Sequence, residues 1–501
     1  MLGRHTLLIN PPLINGIAFT RQGRCQERED VLGTTKPPYT LALIATLLRT
    51  AGCDVRLLDA TALRLTTGDV LERLDADRFE PTLILFPSTT PTLDADVAEM
   101  VRLKARYNAP IVCFGPHAST TPAESMARAA DVDGMLVGEP EDGAVRLAML
   151  ASFDQAGDVA NLTWRRGGAV FPHRAHGSFA GFPQMPFPAW DLLDLKAYSL
   201  PLVDKPYIII ETSRGCPYTC DFCVAPIHQG HKFRERSPKV LVDEIEKSYR
   251  ELGVEFFYLW GDTVTLNVKS FTAFCDELIA RNLPIQWFGN ARADNLTDPA
   301  FVHRLRRAGC WMLALGIESE SEEVRKDMAK RLERQKIQTA FRNMRQAGIK
   351  SFAFFIFGYP GETPATMEQT IDYAIELDPD FANFYPAVPY PGTDLFTKAM
   401  REGMLTADAA GAWPKMEYSY YLMSGNGLDE HVVMSTINRA KRRFFLRPSY
   451  MVRHLGDVAR LALTKQAIVW QVLSRTVFGA RVTDAGSSSS ATNARAGALR
   501  A

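Results

Sequence analysis

The first 150 residues alternate short apolar runs with amphipathic stretches. Helical patterns, such as those of residues 41–50 and 94–107, separate the apolar runs. Strands that alternate with helices in this way predict an α/β domain with an open, doubly wound parallel sheet. Ligands of such sheets bind beyond the carboxyl ends of the strands. The five predicted strands are residues 6–10, 54–58, 82–86, 110–114 and 134–137.

A second strand-and-helix pattern fills residues 205–400, and helices are predicted at residues 238–252, 271–281 and 337–347. Six such repeats with right-handed crossovers predict a partial (β/α)6 barrel of the TIM type. The active site of a barrel of this type lies at the carboxyl ends of its strands. The six predicted strands are residues 207–211, 256–260, 285–290, 312–317, 352–357 and 381–385.

The remaining segments predict the domain boundaries. Residues 1–150 form the Rossmann-like domain, and residues 151–204 form a connector with a hairpin around Gly167 and Gly168. After the barrel at 205–400, residues 401–485 have mostly helical patterns and predict a helical C-terminal domain. The serine-rich residues 486–501 predict a disordered tail.

Composition and charge exclude several classes of protein. The 501 residues have a formal net charge of zero, so no broad electrostatic attraction to nucleic acid is expected. No run of 18 apolar residues predicts a membrane span, and residues 1–13 do not have the pattern of a signal peptide. We therefore expect a cytoplasmic protein, whose eight cysteines are thiols or metal ligands rather than disulfides.

Three cysteines lie within eight residues, directly after the first predicted barrel strand. Cys216, Cys220 and Cys223 are separated by spacings of three and two residues. Structural zinc usually takes four ligands in two pairs, and no second pair is visible. A 4Fe–4S cluster has four irons. Three thiolates therefore leave one iron open to bind a small molecule directly.

The motif Arg214-Gly-Cys-Pro-Tyr-Thr-Cys-Asp-Phe-Cys223 resembles that of the radical S-adenosylmethionine superfamily. The resemblance implies that S-adenosylmethionine chelates the open iron and is cleaved by one electron to a 5′-deoxyadenosyl radical. That radical abstracts hydrogen from an unactivated carbon. An electron donor such as a flavodoxin or ferredoxin is implied as a partner.

Further segments at strand ends resemble the same superfamily and imply contacts to S-adenosylmethionine. Glu318 in Leu-Gly-Ile-Glu-Ser is implied near the ribose or amino group, and Arg292 near a carboxylate. Asp262 stands where many members have a short acidic motif, although the commonest Gly-Gly-Glu form is absent. The segment Gly358-Tyr-Pro-Gly-Glu362 is similar to the family's Gly-x-Pro-Gly-Glu turn.

The N-terminal domain resembles the cobalamin-binding domain of cobalamin-dependent radical S-adenosylmethionine enzymes. The similarity is carried by segments such as Asn10-Pro-Pro12, Phe114-Gly-Pro-His117 and Val137-Gly-Glu139. The pattern Asp-x-His-x-x-Gly, whose histidine ligates cobalt in many cobalamin proteins, is absent, as it often is in this family. A charged loop at residues 21–30 is a candidate cover for the cobalamin. The implied cobalamin-binding residues are Ser88, Thr89, Gly115, His117, Gly138 and Glu139.

This resemblance implies methylation of an unreactive carbon of a small-molecule biosynthetic intermediate. The alternatives are a cobalamin-dependent cyclisation, ring contraction or oxidation, for example of a tetrapyrrole or a hopanoid-like lipid. A radical enzyme with an empty first domain, similar to methylthiotransferases, and a non-enzymatic cobalamin or metal sensor are further hypotheses. The basic and apolar segments 442–447 and 458–477 suggest contact with a membrane surface or a lipid-like substrate.

Overall fold

The computed structural model describes residues 1–21, 35–200, 203 and 205–456. Most of the charged loop at 21–30, the segment 458–477 and the tail at 486–501 lie outside the described residues. None of the described helices combines the length and the apolar character that crossing a bilayer requires.

The N-terminal domain is built on a seven-stranded sheet in the order β2-β1-β3-β4-β5-β6-β7. The first five strands are parallel, which confirms the doubly wound architecture. The predicted hairpin is present and pairs antiparallel with β5, so it extends this sheet beyond residue 150. The strands are β1 His5–Asn10, β2 Asp54–Asp59, β3 Leu83–Pro87, β4 Ile111–Phe114, β5 Gly134–Leu136, β6 Leu162–Arg166 and β7 Ala169–Phe171.

Helices cover both faces of this sheet because each presents an apolar stripe to it. Local signals define their ends. Thr66 and Asp69 form a capping box at the start of α2, and Asn108 ends α3 in the left-handed conformation (φ 51°). The helices are α1 Tyr39–Thr50, α2 Thr67–Ala76, α3 Leu93–Tyr107, α4 Pro116–Thr120, α5 Pro122–Arg128 and α6 Glu141–Met149. Short 3₁₀ helices follow at Phe153–Asp158, Phe182–Gln184, Trp190–Leu192 and Leu195–Ala197.

The second sheet has the order β16-β15-β14-β13-β12-β9-β8. Its six main strands are parallel and adjacent in chain order, which confirms the partial (β/α)6 barrel. The strands are β8 Ser199–Leu200, β9 Lys205–Glu211, β12 Phe256–Trp260, β13 Gln286–Ala291, β14 Cys310–Glu318, β15 Lys350–Phe357 and β16 Phe381–Pro386, with a separate pair β10 Ser213–Arg214 and β11 Arg234–Glu235.

The helices of the barrel pack on the outer face of this sheet. Trp287 shows the packing, since it points outward between Phe271 and Phe274 of the helix that precedes β13. The barrel helices are α7 Ala225–Gln229, α8 Pro238–Leu252, α9 Val268–Arg281, α10 Pro299–Arg307, α11 Glu322–Asp327, α12 Arg334–Ala347 and α13 Pro364–Leu377, with a 3₁₀ helix at Ala293–Leu296.

The described C-terminal part is helical, as predicted, with long connecting loops. Phe444 is fully buried and packs edge-on against Phe384 of β16, so α16 covers the outer face of this last strand. The elements are α14 Asp394–Arg401, α15 Ala407–Ala410, α16 Glu430–Phe445 and α17 Pro448–Arg453, with a 3₁₀ helix at Trp413–Lys415.

Candidate active site

The three cysteines lie on the loop between β10 and α7, at the carboxyl end of the first parallel barrel strand. All three are partly buried, and the backbone N–H of Cys216 donates to the carbonyl of Gly230 at 3.2 Å. Gly215 makes this fold of the loop possible. Its φ is +80°, and a Cβ there would lie 2.3 Å from the carbonyl oxygen of Lys232.

Asp221, inside the cysteine motif, fixes the loop to the rest of the barrel. Its backbone N–H donates to the carbonyl of Met328 at 3.2 Å, and its carboxylate accepts a hydrogen bond from the hydroxyl of Tyr359. Burial raises the pKa of Asp221 to about 6. The loop is therefore held from both sides by elements that follow later barrel strands.

The three thiols on one loop suit an iron–sulfur cluster. Among the described residues, no three His, Cys, Asp or Glu side chains converge on one metal position. A cubane cluster does not need such convergence, because each thiolate binds a different iron. The other described cysteines, Cys53, Cys113, Cys275 and Cys310, are buried, and burial raises their pKa values. Thiols held neutral in this way are poor metal ligands.

Arg292 lies directly against the cysteine loop. Its guanidinium carbon is 3.8 Å from the centroid of the Tyr218 ring, and its Nη2 donates to Asp294 at 3.0 Å. Only 6% of Arg292 is exposed. Arg292 thus has a carboxylate partner within its own segment, and it supports the loop through Tyr218.

Glu318 ends β14 with a positive φ of 67°, which turns its carboxylate back over the sheet. Its Oε1 accepts a hydrogen bond from Lys330 Nζ at 2.8 Å, and both residues are nearly buried. A Cβ at Gly316 would lie 2.3 Å from that same oxygen, so glycine is required beneath the carboxylate. The segment Gly316-Ile-Glu318 therefore presents a carboxylate at the barrel mouth.

The sequence also singled out Glu362, whose side chain is buried beneath the turn that follows β15. It is fully buried and accepts hydrogen bonds from the backbone N–H groups of Gly358 (2.8 Å) and Tyr359 (3.2 Å). Burial raises its pKa to about 8. Ser319 donates to it at 3.4 Å, so this glutamate joins the ends of β14 and β15.

Two crevices open where the domains meet. The first has about 650 Å³ of empty space and lies at the carboxyl ends of the N-terminal strands, beside Asn10, Thr61 and Gly115. The second has about 540 Å³ and is lined by Glu139, Trp260 and Asp262, among others. Asp262 therefore lies where the barrel mouth faces the N-terminal domain.

His228, in the helix that follows Cys223, lines both crevices. Its Nδ1 is 3.0 Å from Ser119 Oγ of the N-terminal domain. Burial lowers the pKa of His228 to about 4, which leaves a neutral ring between the two spaces. His228 was not among the predicted site residues, and its position after the cysteine motif is its only sequence signal.

The predicted cobalamin residues divide into two groups. Gly115 lines the first crevice with a φ of +119°, and a Cβ added there would lie only 2.7 Å from Ser88 O. Gly138 (φ +75°) packs against Gly177, and its N–H donates to Ser119 at 3.0 Å. Glu139 lines the second crevice.

Ser88, Thr89 and His117 are directed into the domain instead. Ser88 Oγ donates to Asp96 at 2.9 Å, and the backbone N–H of Thr89 donates to the hydroxyl of Thr92 at 3.0 Å. Both nitrogens of His117 have partners within 3.0 Å, and burial lowers its pKa to about 3. The ring of His117 is therefore already fully hydrogen-bonded within the protein.

A buried ionic network joins the two domains beneath the second crevice. Arg214, which opens the cysteine motif, donates to Glu211 (2.8 Å) and to Glu141 (2.7 Å), and lies 3.2 Å from Glu139. Arg234 adds a second ion pair to Glu139. The sequence identified Glu139 as a cobalamin contact but gave no sign of this network, whose members lie far apart in the chain.

Comparisons with known proteins define the class. Residues 210–374 match the Radical SAM superfamily, and residues 30–148 match the B12 binding domain. The Radical SAM match implies a 4Fe–4S cluster and S-adenosylmethionine as cofactors, and the B12 binding domain supports cobalamin as a third.

Individual relatives agree with this organisation. The chain is 27% identical to an uncharacterised methyltransferase of Pyrococcus horikoshii, over 86% of this chain and 94% of that protein. It is also 27% identical to the anaerobic magnesium-protoporphyrin IX monomethyl ester cyclase of Cereibacter sphaeroides, over 83% and 68% of the two chains.

A solved structure shares the fold. The radical S-adenosylmethionine methyltransferase TsrM from Kitasatospora setae, with cobalamin and a 4Fe–4S cluster bound, superimposes with a TM-score of 0.63 at 21% identity. The match covers 81% of this chain and 80% of TsrM.

Proposed function

We propose that the protein methylates an unactivated carbon of a small-molecule substrate, as a cobalamin-dependent radical S-adenosylmethionine methyltransferase. The observation that carries this proposal is the position of His228. Because it lines both crevices, the crevice at the strand ends of the B12-binding domain and the crevice at the barrel mouth are neighbours. The cysteine loop lies immediately before His228 in the chain.

When bound, the cluster with S-adenosylmethionine supplies a carbon-centred radical, and methylcobalamin supplies the methyl group. The protein contributes binding and orientation. We assign Cys216, Cys220 and Cys223 as cluster ligands. Glu318 and Asp262 are assigned to hold the cationic and hydroxyl groups of S-adenosylmethionine at the strand ends.

The residues of the first crevice are assigned to the corrin. Gly115 lines this crevice, and its φ of +119° and its close approach to the backbone of Ser88 require glycine at this position. The inward bonds of Ser88, Thr89 and His117 suggest that they shape the loops around the corrin. We therefore do not assign His117 as a cobalt ligand.

The experiment uses the full chain, loaded anaerobically with cluster and cobalamin, and S-adenosylmethionine with an isotopically labelled methyl group. We expect 5′-deoxyadenosine and S-adenosylhomocysteine after reduction, and label on the cobalt. The variant Cys220→Ala should form no 5′-deoxyadenosine. A fully loaded protein that forms neither product would overturn the proposal, and would favour a sensor.

The cyclase relatives support a second candidate function. A cobalamin-dependent cyclase would also produce 5′-deoxyadenosine but would transfer no methyl group. Label that never reaches the cobalt or any product, although 5′-deoxyadenosine forms, would identify this alternative.

We also propose two kinds of partner, an electron donor and a lipid surface. A flavodoxin or ferredoxin in a reducing cytoplasm would supply the electron, as the superfamily requires. For contact with lipid, one observation in the C-terminal helices is unfavourable and one is favourable. Arg443 and Arg447 of the basic segment form ion pairs with Asp372 and Asp378, whereas apolar side chains are exposed nearby. These exposed residues are Leu446, Met451, Val452 and Leu455. Flotation of the full chain with anionic vesicles would test this contact.

A further inference from the structure

His228 lies where the two domains meet, on the short helix that directly follows the cysteine motif. It lines the first crevice, and among the described residues every other member of that lining belongs to the N-terminal domain. It also lines the second crevice, together with Glu139 of the N-terminal domain and Trp260 of the barrel. His228 is therefore the residue through which the barrel domain reaches the crevice that we assign to the corrin.

The hydroxyl of Ser119, in the N-terminal domain, contacts three polar groups, and one of them is the ring of His228. The backbone N–H of Gly138 donates to this hydroxyl oxygen at 3.0 Å. The carbonyl oxygen of Gly115 lies 2.9 Å from it, and His228 Nδ1 lies 3.0 Å from it. A serine hydroxyl has one proton to donate. It can therefore donate to the carbonyl of Gly115 or to the ring of His228, but not to both.

These contacts determine which ring nitrogen of His228 carries the proton. If Ser119 donated to Nδ1, its oxygen and the carbonyl oxygen of Gly115 would be 2.9 Å apart with no hydrogen between them. Two acceptors at that distance repel each other. If Ser119 instead donates to Gly115, the N–H at Nδ1 of His228 donates to Ser119, and all three contacts are hydrogen bonds. We therefore assign the proton of the neutral ring to Nδ1.

This tautomer leaves the lone pair of His228 at Nε2. In an imidazole, Nε2 lies across the ring from Nδ1, so it is directed away from Ser119. Within the described part of the chain, no group donates a hydrogen bond to Nε2. Burial lowers the pKa of His228 to about 4, so the ring remains a neutral acceptor near neutral pH. When a ligand displaces water from the crevice, an acceptor left without a donor costs free energy, so a ligand with a matching donor is favoured.

Cobalamin offers donors of the kind that this nitrogen needs. The edge of the corrin ring carries primary carboxamides, each with two N–H donors, and the ribose of the nucleotide tail carries a hydroxyl group. Both groups are neutral, as the imidazole is. The first crevice, with about 650 Å³ of empty space at the strand ends, is the region that we assign to the corrin. The position and the chemistry of His228 Nε2 therefore both fit this cofactor.

We propose that His228 is a cobalamin-binding residue supplied by the barrel domain, and that its Nε2 accepts a hydrogen bond from a carboxamide or hydroxyl group of the cofactor. The inference rests on the proposed function, because it requires cobalamin as a cofactor. It adds that the B12-binding domain does not form the whole cobalamin site. The helix directly after the cluster ligands completes the site, so the cofactor contacts both domains.

Two amide variants separate this role from a structural one. The side-chain amide of asparagine takes the position of Nδ1, and that of glutamine takes the position of Nε2. His228→Asn can therefore still donate to Ser119 but has no acceptor in the crevice, whereas His228→Gln keeps an acceptor there and loses the bond to Ser119. A residue that only joined the two domains would tolerate asparagine better than glutamine. A cobalamin-binding residue should tolerate glutamine better than asparagine.

The measurement is the affinity of the full chain, loaded with cluster, for hydroxocobalamin in equilibrium dialysis. We expect about tenfold weaker binding in His228→Asn, because a neutral hydrogen bond is lost and a donor of the ligand is left unpaired, and a change of less than about threefold in His228→Gln. Binding of S-adenosylmethionine should be unchanged in both variants. His231→Asn, which changes an exposed histidine of the loop that follows, should bind hydroxocobalamin as the wild type does. Thermal unfolding would establish that each variant is folded.

A titration with cobinamide, which lacks the nucleotide tail, identifies the donor. An equal loss of affinity for cobinamide and for hydroxocobalamin in His228→Asn would assign the donor to a corrin carboxamide. A loss confined to hydroxocobalamin would assign it to the ribose hydroxyl.

Unchanged affinity for hydroxocobalamin in His228→Asn, or a loss in His228→Gln at least as large as that in His228→Asn, would overturn the proposal. Neither result would affect the proposed function, because the wild type would still bind the cofactor and methyl transfer is measured separately. A wild type that binds no cobalamin would overturn both. A protein that binds cobalamin through His228 and transfers no methyl group would retain this site and lose the proposed function.

Discussion

Arg214 Nη2 lies 2.7 Å from Glu141 Oε1, and this contact joins the cysteine motif to the B12-binding domain across 73 positions of sequence. Only 3% of the Arg214 side chain and 1% of the Glu141 side chain are exposed. Removing one partner of a buried ion pair leaves an uncompensated charge in a medium of low dielectric constant. The pair is therefore expected to stabilise the contact between the domains.

The first prediction concerns this ion pair. Arg214→Met leaves the carboxylates of Glu139, Glu141 and Glu211 without their shared cation, and should lower the free energy of unfolding by about 3–5 kcal/mol. Chemical denaturation followed by circular dichroism measures the change. The exposed pair of Arg56 and Asp54 provides the control, since Arg56→Gln should cost less than about 1 kcal/mol. Equal costs for the two substitutions would contradict the assigned role.

Much of this fold follows from local patterns in the sequence. Strands such as β12 were predicted at their observed bounds, because continuous apolar runs are typical of strands buried under helices. The proposed cluster ligands were identified from the sequence for a different reason. The three cysteines lie within eight residues, so their spacing alone indicates the chemistry.

Other features depend on contacts that no local pattern contains. The Arg214 network pairs residues from three separate segments. The sequence contains each of these residues but does not show that they contact one another. Ser88 and Thr89 follow a strand as ligand-binding residues do, but their hydroxyls point toward Asp96 and Thr92. The direction of a hydroxyl depends on a side-chain rotation that the sequence does not determine.

The second prediction concerns the cluster ligands. Cys216→Ala, Cys220→Ala and Cys223→Ala should each lose most of the iron and sulfide, because two thiolates do not hold a four-iron cluster in place. Iron analysis and visible absorption after anaerobic purification measure the loss. Cys53→Ala, which changes a buried thiol of the other domain, should retain full iron content. Iron retained in a triple Cys variant would contradict the assignment.

The third prediction concerns Glu318. Glu318→Gln removes the charge but keeps the shape, and should weaken binding of S-adenosylmethionine about ten- to a hundredfold, since a hydrogen bond to a charged group contributes about 1.5–3 kcal/mol. Equilibrium binding to the cluster-loaded full chain measures the effect. Glu323→Gln, exposed on α11, should bind as the wild type does. Unchanged affinity in Glu318→Gln, with iron retained, would remove Glu318 from the site.

The fourth prediction concerns pH and Glu362, whose pKa burial raises to about 8 from an ordinary value near 4.5. Between these two pH values the folded protein holds a proton that the unfolded chain releases. Stability from this group is therefore complete below pH 4.5 and is lost as the pH rises toward 8, by up to about 1.4 kcal/mol per pH unit.

Glu362→Gln keeps the acceptor for Gly358 and Tyr359 but has no proton to release. The variant should therefore gain stability relative to the wild type as the pH rises from 5 to 8, and the two proteins should differ least at pH 5. Denaturation midpoints at several pH values measure this difference. Glu368→Gln, on the outer surface of α13, controls for the loss of a carboxylate. A difference between wild type and Glu362→Gln that stays constant across this range would show that Glu362 is ionised in the folded protein throughout.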